Sequence, residues 1–102
     1  MTSGDQGVCI LVTLSTAQYP YTVPVGSVGT LIASPGYPNN NAPEQSFTPV
    51  TFSPDGSTAF YFTQGNGIDF QSSGNWTVKV RVNDPFGNRF TSPPGQFYVY
   101  PA

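Results

Sequence analysis

Four carboxylates, Glu44, Asp55, Asp69 and Asp84, are the side chains that could do acid–base work in this chain. A glycosidase needs two such groups facing each other across a sugar ring. All four fall in stretches that read as loops or turns, and each has a simpler local role. Asp55 precedes Gly56 in a turn, Asp84 precedes Pro85 in another, and Glu44 solvates its loop. The chain has no histidine. The usual general base, the commonest metal ligand and the partner of a serine or cysteine nucleophile are therefore all missing. Asp84 and Asn88 flank a tight turn and offer oxygen ligands of the kind Ca²⁺ takes, but two ligands are too few for a site. The expectation is a protein that is not an enzyme, with no catalytic residues, no metal and no cofactor.

Cys9 is the sole cysteine, so an intrachain disulfide is impossible. It stands between Val8 and Ile10 in an apolar run and is expected to be a small buried side chain rather than a reactive thiol. Asn75-Trp76-Thr77 is formally a glycosylation acceptor, but here it reads as the entry to a strand.

Composition narrows the partners. Three basic residues are too few to hold a phosphate backbone, which excludes nucleic acid. No apolar run approaches the roughly 20 residues of a membrane span. The run from Val8 to Leu14 is of strand length and nothing basic precedes it, so it is not a signal peptide. Charged residues are 8 % of the chain, against about 25 % in an ordinary soluble domain. The wetted surface must then be built from Ser, Thr, Asn, Gln and backbone. Such a surface suits a protein that lives against other proteins, or simply a polar β-domain of the extracellular type.

The elements that must carry these residues are strands. Trp76, Val78, Val80 and Val82 share one parity of a run whose other parity is Thr77, Lys79, Arg81 and Asn83. Successive strand side chains point to opposite faces, so this run buries one face and wets the other. Residues 84–88, DPFGN, turn the chain; Arg89-Phe90-Thr91 extends the hairpin and Pro93-Pro94-Gly95 kinks it. Phe97 and Val99 return on the inward face, which leaves Tyr98 and Tyr100 on the other. Residues 47–53 and 57–64 form a second hairpin around Pro54-Asp55-Gly56. Residues 7–14 and 25–34 are further strands. Residues 34–45, with three consecutive Asn and three Pro, form the longest loop, and residues 64–73 form another that holds Ile68 and Phe70. Fourteen phenylalanines and tyrosines and one tryptophan supply apolar area to bury, which excludes disorder. No helical period is present. The spacing predicts one domain over 1–102, all-β, an immunoglobulin-like antiparallel β-sandwich of about seven strands.

Tyr19, Tyr21, Tyr37, Tyr98 and Tyr100 are the candidate partner-binding residues. Tyrosine is amphipathic and works at half-wet contacts. Three readings stay open: aromatic packing across the outer face of a sheet, a platform for stacking a sugar, and a protein–protein contact.

Along nearly its whole length the chain resembles the immunoglobulin-like domains at the start of tailed-phage baseplate upper proteins and related short phage structural proteins. Gly4-Asp5-Gln6-Gly7 with the following VCILVTL resembles the family's opening and first strand. Residues 25–33 resemble its second strand and residues 47–64 its central hairpin. Asp69-Phe70, the run from Ser73 to Val82, Phe86-Gly87-Asn88, Thr91-Ser92 and Phe97-Tyr98-Val99 resemble the rest. The same Gly-x-aromatic strand and closing Phe-x-Val are also similar to the immunoglobulin-like repeats of bacterial adhesins. The chain departs from the phage pattern where a Leu-rich stretch follows the first strand. That place is taken by Ala17-Gln18-Tyr19-Pro20-Tyr21, so the edge of the first sheet is expected to differ. The resemblance implies a virion part with no catalytic residues. It would be assembled in the host bacterial cytoplasm, in multiple copies of a symmetric array, against tail, baseplate or major capsid proteins. The alternative it leaves is a carbohydrate-binding or adhesin-type module that takes a host glycan.

Overall fold

The long strand with alternating valines organises the molecule. In the computed structural model, which describes residues 1–3, 5–15, 20–36, 43–64, 70 and 73–101, it runs as β6 (Gly74–Asn83). Trp76, Val78, Val80 and Val82 are buried, and Thr77, Lys79 and Arg81 lie on its opposite face, half-exposed. Before it come β1 (Gln6–Thr13), β2 (Val28–Pro35), β3 (Gln45–Phe47), β4 (Thr51–Phe52) and β5 (Thr58–Gln64). After it come β7 (Arg89–Thr91) and β8 (Gly95–Val99). There is no helix among the described residues.

The strands form two antiparallel sheets packed face to face. One has the order β1-β5-β4. The other has the order β3-β2-β6, with β7 and β8 following one another along the far edge of β6. The fold is thus all-β, as the period-2 patterning predicts, and the described residues form eight strands, one more than the expected count of about seven.

The additional strand comes from residues 47–53. They were expected to form one arm of a hairpin with residues 57–64, and that arm divides. Phe47 pairs with Leu31 in the larger sheet, whereas Thr51 and Phe52 pair with Phe60 and Ala59 in the smaller. The chain changes sheets at Thr48-Pro49-Val50. Pro49, whose preceding peptide is cis, has no N–H to give a ladder, so neither sheet can extend through it. The turn after β4 is the expected one. Gly56 N–H donates to the Ser53 carbonyl at 2.9 Å, and Gly56 has the left-handed φ of 74° that its position requires.

The core lies between the sheets and is aromatic at its centre. Phe70 is fully buried, with its ring 5.0 Å from Trp76, 5.2 Å from Phe97 and 4.9 Å from Phe47. Phe47 in turn stacks on Tyr61. Ile10, Val12, Leu14, Leu31, Ala33 and Val99 complete the interior. Phe70 was expected merely to sit in a loop. It is instead a core plug on a backbone with φ of 51°, unusual for a residue with a Cβ. That conformation costs about 1–2 kcal/mol, and full burial of a phenylalanine side chain, about 1.5–3 kcal/mol, offsets it.

Cys9 corrects an expectation. It is exposed, because it has the opposite parity to Ile10 and Val12 on β1 and faces outward. The apolar run hid this, since Val8 to Leu14 offers apolar side chains at both parities.

Candidate interaction surfaces

β8 pairs antiparallel with the start of β6, Phe97 opposite Trp76 and Tyr98 opposite Asn75. This register turns Phe97 and Val99 inward and leaves Tyr98 and Tyr100 outside, 44 % and 59 % exposed. The two rings meet edge to face at 4.8 Å between centroids, a favoured geometry for an aromatic pair. The strand end beneath them is tied down by the first residues of the chain. Tyr100 N–H donates to the Met1 carbonyl at 2.8 Å, Ser3 N–H donates to the Tyr100 carbonyl at 2.8 Å, and Thr2 forms a parallel bridge with Tyr100. The polar lead-in therefore holds one of the two candidate rings in place.

Tyr21 has a different environment. Its ring lies flat on Phe90, with centroids 3.8 Å apart and planes at 9°, and its N–H donates to Ser15 Oγ at 2.8 Å. Burial raises its phenol pKa, and the nearby Asp84 carboxylate raises it further. Phe90 is opposite Val82 and Tyr98 is opposite Asn75 on the same strand. At about 3.3 Å per residue, Tyr21 and the Tyr98–Tyr100 pair are about 23 Å apart along β6. They do not form one patch. Tyr19, Tyr37, Asp69 and residues 37–42, half of the loop over residues 34–45, lie outside the described residues.

Asp55 and Asp84 are occupied by their own turns. Asp55 Oδ1 accepts from Ser53 Oγ at 2.6 Å, Ser57 Oγ at 2.8 Å and Ser57 N–H at 3.1 Å. The Ser53 hydroxyl, then the Ser57 hydroxyl and N–H, hold its pKa down at about 2. Asp84 Oδ1 accepts from Asn88 N–H at 2.8 Å and Phe86 N–H at 2.9 Å. Desolvation pushes the Asp84 pKa up, but these bonds, with Asn88 foremost, outweigh it and the net shift is downward. Glu44 accepts from Ser34 Oγ. Among the described residues no three of His, Cys, Asp and Glu come together.

Two apolar surfaces escaped the sequence reading. On the outer face of the smaller sheet, Cys9 lies opposite Phe62 and Leu11 opposite Phe60, with Leu11 61 % and Phe62 57 % exposed. The available signal was the apolar content at both parities of β1 and β5, which a strand wet on one side would not carry. At one end of the molecule Val25 and Phe86 project from adjacent turns; Gly26 and Pro85 abut there. Apolar residues at turn tips, where polar ones are usual, were the signal for these.

Comparison with protein-family models, with curated proteins and with solved structures returns no match.

Proposed function

We propose that this chain is an immunoglobulin-like docking domain, a non-enzymatic structural part of a tailed-phage particle that attaches to tail, baseplate or capsid proteins. Strand order supports the immunoglobulin-like reading. In that fold one sheet runs A-B-E-D and the other G-F-C, extended by C′ in variable-type domains. With β1 as B, the smaller sheet reads B-E-D, and the larger reads C′-C-F-G with β7 and β8 sharing the place of G. The tryptophan departs from the antibody pattern, since Trp76 lies on the F-like β6, and the sole cysteine leaves no inter-sheet disulfide.

The observation that carries the docking reading is the Tyr98–Tyr100 pair. Two large amphipathic rings are held exposed on a strand whose end is fastened by the two backbone hydrogen bonds of a parallel bridge, on a chain with little charge to keep neighbours away. Rigid exposed tyrosines gain contact area at low entropy cost. The tailed-phage setting rests on the residue resemblance, as do assembly in the bacterial cytoplasm and multiple copies in a symmetric array.

The test is incorporation of a Tyr98→Ala/Tyr100→Ala double variant into assembling particles. The variant is expected to fold and to be depleted from purified particles. Wild-type incorporation would overturn this contact surface. Binding to a glycan array that disappears in the same variant would instead favour a carbohydrate-binding module.

A further inference from the structure

The two sheets differ in width on one side. The larger is four strands wide, ending in β7 and β8, and the smaller is three wide, ending in β1. Among the described residues β1 pairs with β5 alone. β1 packs over β6, so among the described residues no strand covers the place beside β1 and above β8. A cavity of about 500 Å³ lies there, lined by Ile10 and Val12 of β1, Val78 of β6, and Pro93, Gly95 and Phe97.

The free edge of β1 offers hydrogen bonds to this cavity, and the ladder identifies which residues supply them. Thr13 is opposite Thr58, and the Thr58 carbonyl accepts from Ser53 N–H on the far side of β5. Thr13 and Thr58 are thus a non-hydrogen-bonded pair, each turning its backbone groups away from the other. Leu14 N–H, one residue on, donates to the Ser57 carbonyl. By the two-residue period, Cys9, Leu11 and Thr13 direct their N–H and C=O groups to the open edge. The edge also lacks the usual protection, since β1 contains no charged residue and no proline.

We infer that this groove binds a single extended, uncharged polypeptide segment from another protein, added to β1 as a fourth strand. The inference deepens the docking reading above and rests on it. Charge matching selects the occupant. No lining residue has an acidic or basic side chain, and the amine of Met1 is turned to the Tyr98 carbonyl. A charged side chain pointing inward would lose its hydration without a partner, whereas small apolar side chains at alternate positions would cover Phe97 and Val12. A whole second copy does not fit. Its own β1 has β6 packed behind it, and that β6 would have to occupy the place of β8.

The test uses the full chain, ¹⁵N-labelled, and a capped peptide of alternating valine and serine, eight residues long to match β1. Peptide binding is expected to shift the amides of Cys9, Leu11 and Thr13 and slow their exchange. Two variants should weaken it. Leu11→Pro removes an outward N–H and spares the bonds to β5. It should cost about tenfold in affinity, as expected for one lost hydrogen bond. Gly95→Leu fills the groove from a position where a Cβ meets no atom within 4 Å, and should abolish binding. A peptide with lysine in place of valine should not bind. Unshifted β1 amides at saturating peptide, or equal binding by both variants, would overturn the groove. A concentration-dependent dimer that protects the same amides without peptide would overturn the single-strand occupant in favour of a second copy. Absence of peptide binding alongside loss of the Tyr98→Ala/Tyr100→Ala variant from particles removes the groove and keeps the docking reading.

Discussion

The Ser92 hydroxyl takes the place of a backbone carbonyl in the ladder to Val80. Val80 N–H donates to Ser92 Oγ at 2.8 Å, and Ser92 N–H donates to the Val80 carbonyl at 2.9 Å. Ser92 lies where the chain leaves β7 and before Pro93 and Pro94, which have no N–H to offer β6. A side chain thus carries the edge of the larger sheet across a break that the backbone cannot bridge. Both partners are buried, so the bond has no substitute from solvent.

Ser92→Ala should therefore leave the Val80 N–H buried and unpaired, at a cost of about 1–3 kcal/mol. Urea unfolding should show a lower midpoint with an unchanged slope, and hydrogen exchange should show Val80 deprotected ahead of Val78 and Val82. Equal stability of the variant would mean that the hydroxyl is not the acceptor.

Phe70→Ala should be the most damaging single truncation. It removes the ring that Trp76, Phe97 and Phe47 all touch, and keeps the cost of a left-handed backbone at a residue with a Cβ. The loss expected for a buried phenylalanine is about 3–5 kcal/mol, a large part of the roughly 5–15 kcal/mol that holds a domain of ordinary stability. Thermal unfolding followed by Trp76 fluorescence reads it directly.

Acid should weaken the fold partly through Asp55. Its folded pKa of about 2 lies below the roughly 3.9 of an unfolded aspartate. Its contribution is therefore fully present above about pH 4 and is lost as pH falls through about 2. Asp84 is shifted in the same direction. Stability measured between pH 5 and 2 should fall less steeply for Asp55→Asn than for the wild type, with a residual slope from Asp84. Identical slopes would show that the Ser53 and Ser57 bonds do not persist in solution.

Cys9 should react as a surface thiol. Ellman's reagent should label it in the native protein without denaturant, and Leu11 and Phe62, on the same face, should tolerate Ser with stability changes within about 0.5 kcal/mol. Labelling that requires unfolding would return Cys9 to the interior.

Where a structural choice is local, the chain states it plainly. The alternation from Trp76 to Val82 needs only the two-residue pleat to divide buried from wet, and Pro54-Asp55-Gly56 and the run from Asp84 to Asn88 build their turns from their own hydrogen bonds and φ preferences. The inward Val99 and outward Tyr98 and Tyr100 follow from the same parity rule. All-β class, hairpin positions and the outward tyrosines were therefore readable in advance.

The rest depended on contacts between residues far apart in the chain. Parity alone did not say which side of β1 faces the second sheet, because Val8 to Leu14 is apolar at both, and packing against β6 put Cys9 and Leu11 outside. Nor could it divide residues 47–53 between two sheets, or turn Phe70 into the core. Composition and pattern determine which segments extend and where they bend, since those energies reside in neighbouring residues. Sheet membership, the open edge of β1 and the Ser92 bridge were decided by the tertiary structure, because each is a hydrogen-bond or burial choice settled only when distant strands meet.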